Sequence, residues 1–161
     1  PADKIVAWEE MLQWRWQASA QGCQVAVTNG CFDLLHRGHV ECLNEASEAG
    51  DCLLVLLNSD SSIRRVKGPG RPMIGQEDRA YMLASLQAVN LVYIFDSDTC
   101  TELFREIRPD VYVKGGDYTV DTLVQEEREL LKSMGCRFVF VPFVAGHSTT
   151  GLLQRIGDVT F

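Results

Sequence analysis

Strand-like and helix-like segments alternate along almost the whole chain, and this alternation restricts the fold more than any other feature. Cys52–Leu57 is a continuous apolar run, the pattern of a strand buried on both faces of a parallel sheet. Gln24–Thr28, Leu91–Phe95, Val111–Lys114 and Arg137–Val141 read as four more strands. Between them lie helical segments. Residues 3–20 carry Ile5, Trp8, Leu12 and Trp16 at helical spacing, and Gly38–Ala49 carries Val40, Leu43 and Ala46 on one side. Gln76–Gln87, Thr99–Ile107, Leu123–Met134 and Ser148–Ile156 are further helices, with Gly135 as a C-terminal cap and Ser148 or Thr149 in capping position. Ser59–Ile74 is polar, basic and rich in Gly and Pro, so it reads as a loop with at most one helical turn.

Strands that alternate with helices build βαβ units. The expected architecture is α/β: a Rossmann-like, doubly wound parallel five-stranded sheet with helices on both faces. It forms one domain over residues 1–161, with an N-terminal helix in 1–22 and an α/β core in 23–157. Ligands of such sheets bind beyond the carboxyl ends of the strands, where the strand order reverses. The loops 29–38, 58–75, 114–122 and 142–148 should therefore surround a site.

Composition narrows the function. A chain that is 46% hydrophobic and 23% charged is neither a disordered tail nor a fibre. The longest fully apolar run, Leu53–Leu57, has five residues, against the roughly 20 that span a bilayer, so no membrane partner is expected. Pro1-Ala2-Asp3-Lys4 has no basic region followed by an apolar stretch, and no leader is expected. Fifteen basic against 22 acidic residues give a net charge of −7, which opposes binding to a nucleic-acid backbone. A small anionic ligand remains compatible, because a local basic cluster focuses field in a cleft. Cys23, Cys31, Cys42, Cys52, Cys100 and Cys136 form no Cys-x-x-Cys and no zinc spacing. The expectation is reduced thiols, a cytoplasmic protein and no protein-held metal centre.

The strongest chemical signal is Thr28-Asn29-Gly30-Cys31-Phe32-Asp33-Leu34-Leu35-His36-Arg37-Gly38-His39. Gly30 lets backbone amides approach a ligand. The helix that opens near Gly38 aims free N–H groups and partial positive charge at the same place. His36 and His39, three apart, share a helix face there and are placed to donate to phosphoryl oxygens, with Gly38 leaving room for phosphate. A lone histidine at a helix start usually caps or packs; two of the chain's three histidines on one glycine-bearing turn point to ligand chemistry instead.

Gly30-x-Phe32-Asp33-x-x-His36-x-Gly38-His39 resembles the signature of the cytidylyltransferase-like nucleotidyltransferases, which join a nucleoside triphosphate to a phosphorylated acceptor and release pyrophosphate. The resemblance continues through Lys67, Glu77-x-Arg79, Lys114-Gly115-Gly116-Asp117-Tyr118 and Gly146-His147-Ser148-Thr149-Thr150, covering roughly residues 24–157. The fuller strings Lys67-Gly68-x-Gly70-Arg71-Pro72 and Pro142-Phe143-Val144-x-Gly146-x-Ser148-Thr149-Thr150 are most similar to the branch that makes ADP-heptose from heptose 1-phosphate and ATP, for lipopolysaccharide or surface-glycan precursors.

The resemblance implies roles. His36, His39 and Lys67 would be catalytic. Asn29, Gly30, Cys31, Phe32, Gly38, Arg79, Gly115, Gly116, Asp117, Ser148 and Thr149 would bind nucleotide. Asp33, Arg71 and Lys114 would lie toward the acceptor. Each position also has a plain structural reading. Arg64, Arg65, Lys67 and Arg71 are a basic run that can simply be solvated. Arg79 can make a surface ion pair. Asp117 can cap a tight turn instead of meeting ribose or metal, Asp33 can bond turn amides, and Ser148 can act as an N-cap alone. His147 stands where the family often has a hydrophobic residue. Mg²⁺ would enter with ATP, and the partners would be ATP, a sugar phosphate and a separate or fused sugar kinase. Trp8, Trp14 and Trp16 serve the core, or a homodimer contact.

The acceptor phosphate is already an anionic nucleophile, so positioning and charge stabilisation should suffice for an in-line attack on the α-phosphorus. A cytidylyltransferase acting on glycerol 3-phosphate is the alternative within the class, but such chains carry an arginine where Phe143 stands. A noncatalytic nucleotide sensor is the alternative outside it.

Overall fold

The computed structural model describes residues 1–142 and 144–158, and it has the expected five-stranded parallel sheet. The strands are β1 (Val25–Gly30), β2 (Cys52–Asn58), β3 (Leu91–Phe95), β4 (Val111–Gly115) and β5 (Arg137–Val141), in the spatial order β3-β2-β1-β4-β5. Every neighbouring pair is parallel. The order reverses between β1 and β4, where Ala26 pairs with Val111 and Thr28 with Val113. That is the switch point at which the carboxyl ends of strands part and leave a crevice.

Side chains alternate across the sheet and fill two cores. On one face, Ala26, Leu53, Val55, Leu57, Val92, Val111 and Val113 pack with Leu43 and Ala46 of α2 (Arg37–Glu48) and with Ala80, Leu83 and Ala84 of α4 (Gln76–Ala84). The opposite face, Val25, Val27, Leu54, Leu56 and Tyr112, packs with Met11 of α1 (Trp8–Ala20), with Phe104 and Ile107 of α5 (Thr101–Ile107) and with Leu131 of α6 (Gln125–Ser133). Leu53 to Leu57 are all fully buried, which is why β2 reads as an unbroken apolar run rather than an alternating one. Gly135 follows α6 at φ +72°, the left-handed cap expected of it. α7 (Thr149–Gly157) has Ser148 as its N-cap, its hydroxyl accepting from the Gly151 amide at 3.0 Å. Phe143, the residue that bears on cytosine against adenine, lies outside the described residues.

Two expectations are corrected. The first helix starts at Trp8, not residue 3. Ile5 instead bridges Val92 in parallel, extending the sheet beside β3. The buried face of α1 runs through Met11 and Arg15, while Trp16 is 67% exposed. Arg15 is buried there because its guanidinium reaches the Ile107 and Arg108 carbonyls at 2.9 and 2.7 Å and Asp110 at 3.0 Å. The second correction is α3, Asp60–Lys67, in the segment expected to be loop. Ser59 caps it by accepting from the Ser62 amide, an aspartate opens it and Arg64, Arg65 and Lys67 close it, all complementary to the helix dipole.

Candidate active site

A cleft of about 700 Å³ opens at the carboxyl ends of the strands. Its lining draws on the four loops that topology pointed to, after β1, β2, β4 and β5, and adds Cys42 of α2, Asp98 and Thr99 after β3, and Glu127 of α6.

α2 brings the two imidazoles to this cleft. His36 is the N-cap and His39 lies in the first turn, so three residues of helix put their rings in a stack, with centroids 3.8 Å apart and planes inclined by 21°. The His36 amide donates to His39 Nδ1 at 3.4 Å. This bond leaves Nε2 of His39 as the protonated nitrogen, a donor available to a ligand. Burial lowers the pKa of His39 to about 4, with positive charge on His36 and Lys67 adding to the effect. Burial, then His147, also lowers that of His36. Both rings are therefore neutral near neutral pH. Nδ1 of His36 is buried without a hydrogen-bond partner. Phe32, at φ +47°, lays its ring against His39 with centroids 5.3 Å apart. A side chain at Gly30 would meet that ring at 3.0 Å, so the glycine makes way for Phe32, which wedges the histidine in place.

Gly38 lines the cleft beside the two rings. The space beside it holds the His36 ring, 3.1 Å from where a Cβ would stand, and His147 Cβ, 3.5 Å away. The glycine thus lets the start of α2 and the approach to α7 close on each other. Ser148, Thr149 and Thr150 at the start of α7 line the same cleft. Two helix N-termini converge there, each presenting unpaired amides and partial positive charge to an anion. Lys67, the last residue of α3, adds an exposed ammonium to the lining.

A polar network lies beside the imidazoles in the same cleft. Asn29 Oδ1 accepts from Tyr112 Oη at 2.7 Å and from Lys114 Nζ at 3.0 Å, and its amide donates to Cys100 Sγ at 3.3 Å. Lys114 also sits 5.1 Å from the centre of the Tyr118 ring, and burial lowers its pKa. Gly115 has Cys42 Sγ 2.7 Å from its would-be Cβ. Gly116, at φ +110°, donates to the Val141 carbonyl at 2.8 Å.

Two sequence candidates stand outside the lining. Arg79 has no exposure; it donates to the carbonyls of Ile74, Cys31 and Asn58 at 2.9, 2.6 and 3.0 Å and to Asp60 at 2.7 Å. It clamps the wall behind the cleft. Asp117 is exposed and does not line it. Asp33 lines the cleft, but its carboxylate is occupied: it accepts from Arg71 Nε at 2.7 Å and from the amides of Met73 and Ile74 at 2.8 and 3.1 Å. It anchors the loop that carries Arg71 into the lining. Arg65 is tied away from the cleft's interior by Asp98 at 2.8 Å and by Asp96. Sequence reasoning missed Glu127, a lining residue only 5% exposed. In the sequence it looks like any acidic residue of a helix's first turn.

The fold and this cleft define a doubly wound α/β domain with its cleft between two helix N-termini. Residues 27–152 match the family model described as "Cytidylyltransferase-like", and the chain belongs to that family. It is 53% identical over 137 residues to "Bifunctional protein HldE" of Geobacter sulfurreducens, an alignment covering 85% of this chain and 28% of that protein. The protein of the same name from Magnetococcus marinus is 47% identical over 155 residues, 96% of this chain and 31% of the relative. This chain therefore spans under a third of the length of these relatives. A solved structure, "the lipopolysaccharide core biosynthesis protein from Thermoplasma volcanium", superposes with a TM-score of 0.62 over 76% of this chain and 98% of its own, at 24% identity. That likeness concerns the fold. No helix among the described residues is long and apolar enough to cross a membrane.

Proposed function

We propose that this chain transfers AMP from ATP to a heptose 1-phosphate, forming ADP-heptose and pyrophosphate. The observation that carries the reading is the stacked His36–His39 pair at the start of α2, lining one cleft with Ser148 and Thr149 at the start of α7. The motif strings similar to ADP-heptose synthesis supply the substrate class. An oxygen of the sugar phosphate attacks the α-phosphorus; the bond from that phosphorus to the bridging oxygen breaks, and pyrophosphate departs with the electron pair. His39 Nε2–H and His36 donate to the α-phosphoryl and bridging oxygens as charge accumulates. Lys67, Ser148 and Thr149 hold the departing pyrophosphate, and Arg71 and Lys114 lie toward the acceptor. The rings need not exchange a proton, because the nucleophile arrives ionised.

Mg²⁺ belongs to the nucleotide substrate, where phosphate oxygens and water suit its octahedral demands. Among the described residues no group of three or more His, Cys, Asp or Glu is arranged to hold a metal ion. The six free cysteines fit a reducing, cytoplasmic setting. The two-activity name of the longer relatives fits a fused sugar kinase that would supply the phosphorylated acceptor.

Pyrophosphate release with ATP or CTP against heptose 1-phosphate or glycerol 3-phosphate tests the reading. Turnover confined to ATP with the heptose is the expected result. Turnover with CTP and glycerol 3-phosphate, or ATP binding without any turnover, overturns it.

A further inference from the structure

The cleft that holds the two imidazoles is also lined from the α5 and α6 side of the sheet. Its lining there includes Thr99, Tyr118, Leu123 and Glu127. Glu127 is the third residue of α6 and is nearly sealed from solvent. One carboxylate oxygen accepts from the Cys100 amide at 2.6 Å. The other has no partner among the described residues, yet it is not among the sealed, unpartnered polar atoms, so it opens on the cleft that Glu127 lines.

Lys114, bonded to Asn29, lines the same cleft. Lys114 and Glu127 feel each other's charge, but they form no ion pair. A buried carboxylate can only accept and a buried ammonium can only donate. Lining one cleft without pairing, they offer it an acceptor and a donor. A hydroxyl satisfies both at once: it donates to the carboxylate and accepts from the ammonium. A phosphate would be repelled by Glu127, and an apolar group would leave both charges unpaired.

We infer that Glu127 and Lys114 together bind a hydroxyl of the acceptor sugar, making Glu127 a specificity residue for a polyhydroxylated acceptor. This assignment rests on the adenylyltransferase reading above. It deepens that reading by naming a contact to the sugar part of the acceptor.

The test is steady-state kinetics of wild type and Glu127→Gln with ATP, heptose 1-phosphate and a panel of singly deoxygenated heptose 1-phosphates. Gln keeps an oxygen for the Cys100 amide, and thermal melts of Glu127→Gln and Glu127→Ala report whether that bond alone matters. Glu127→Gln should melt close to wild type and raise KM for the sugar phosphate at least about 10-fold, with KM for ATP changed by less than about 2-fold, the scale of one lost hydrogen bond to a charge. One deoxygenated acceptor should cost wild type a similar factor in kcat/KM and cost the variant nothing further. An unchanged acceptor KM, or equal rises for ATP and acceptor, overturns the assignment while leaving the adenylyltransferase reading intact. Wild type that turns over no sugar phosphate with ATP overturns both.

Discussion

Arg79 Nη1 donates to the Cys31 carbonyl at 2.6 Å, so a fully buried guanidinium on α4 holds the backbone that leads from β1 to the histidines. The same group bonds Asn58 and Ile74 and pairs with Asp60. It thereby ties the loops after β1 and β2 to each other.

Removing that guanidinium leaves Asp60 and three carbonyls short of a partner. Arg79→Ala should lose about 3–5 kcal/mol of stability, the cost of breaking a buried pair. Arg79→Lys should recover little, because one ammonium cannot reproduce the planar fork. Urea denaturation checks both. An Arg79→Ala protein of normal stability with weakened ATP binding would instead put this residue among the ligand contacts.

The histidine environment sets a pH dependence. Burial holds His39 at about 4 and lowers His36, whereas in the unfolded chain each titrates near about 6.5. Above that pH neither state takes up protons at these rings. As pH falls from about 6.5 toward about 4, the unfolded chain binds protons that the folded one refuses, so stability should fall across that window. Urea midpoints across it, in wild type and in His39→Gln, measure the contribution; the variant should show the shallower decline. Bound ATP should raise the titration midpoint of His39 by favouring the imidazolium, visible in its ring proton shift.

Gly115 lies against Cys42, whose Sγ would sit 2.7 Å from an added Cβ. Gly115→Ala should cost about 1–3 kcal/mol through overpacking. Adding Cys42→Ala should return most of that loss, because the clashing sulfur is gone. A double-mutant cycle with no coupling energy would place the strain elsewhere.

The sheet was legible because a parallel strand buried on both faces leaves an apolar run, as Leu53–Leu57 does. The cleft was legible because loops on one edge of such a sheet must converge. α3 was not: only Ser62 and Ile63 of its residues are buried, too little for an apolar stripe, and its evidence was the Ser59 cap and the charge order. Arg79 read as a ligand contact because sequence cannot distinguish an arginine facing phosphate from one facing carbonyls. Asp33 shares that ambiguity, since Arg71, Met73 and Ile74, which satisfy it, are distant in the chain. Glu127 went unnoticed because its burial depends on α5 and α6 packing together.

The central claim is that the stacked imidazoles stabilise the charge of the transition state. Single-turnover AMP transfer from saturating ATP to heptose 1-phosphate by His36→Ala and His39→Ala tests it most directly. Each variant should retain its fold and lose at least about 100-fold in rate, the scale of one missing donor at a developing oxyanion. Near-normal rates in both would contradict the account.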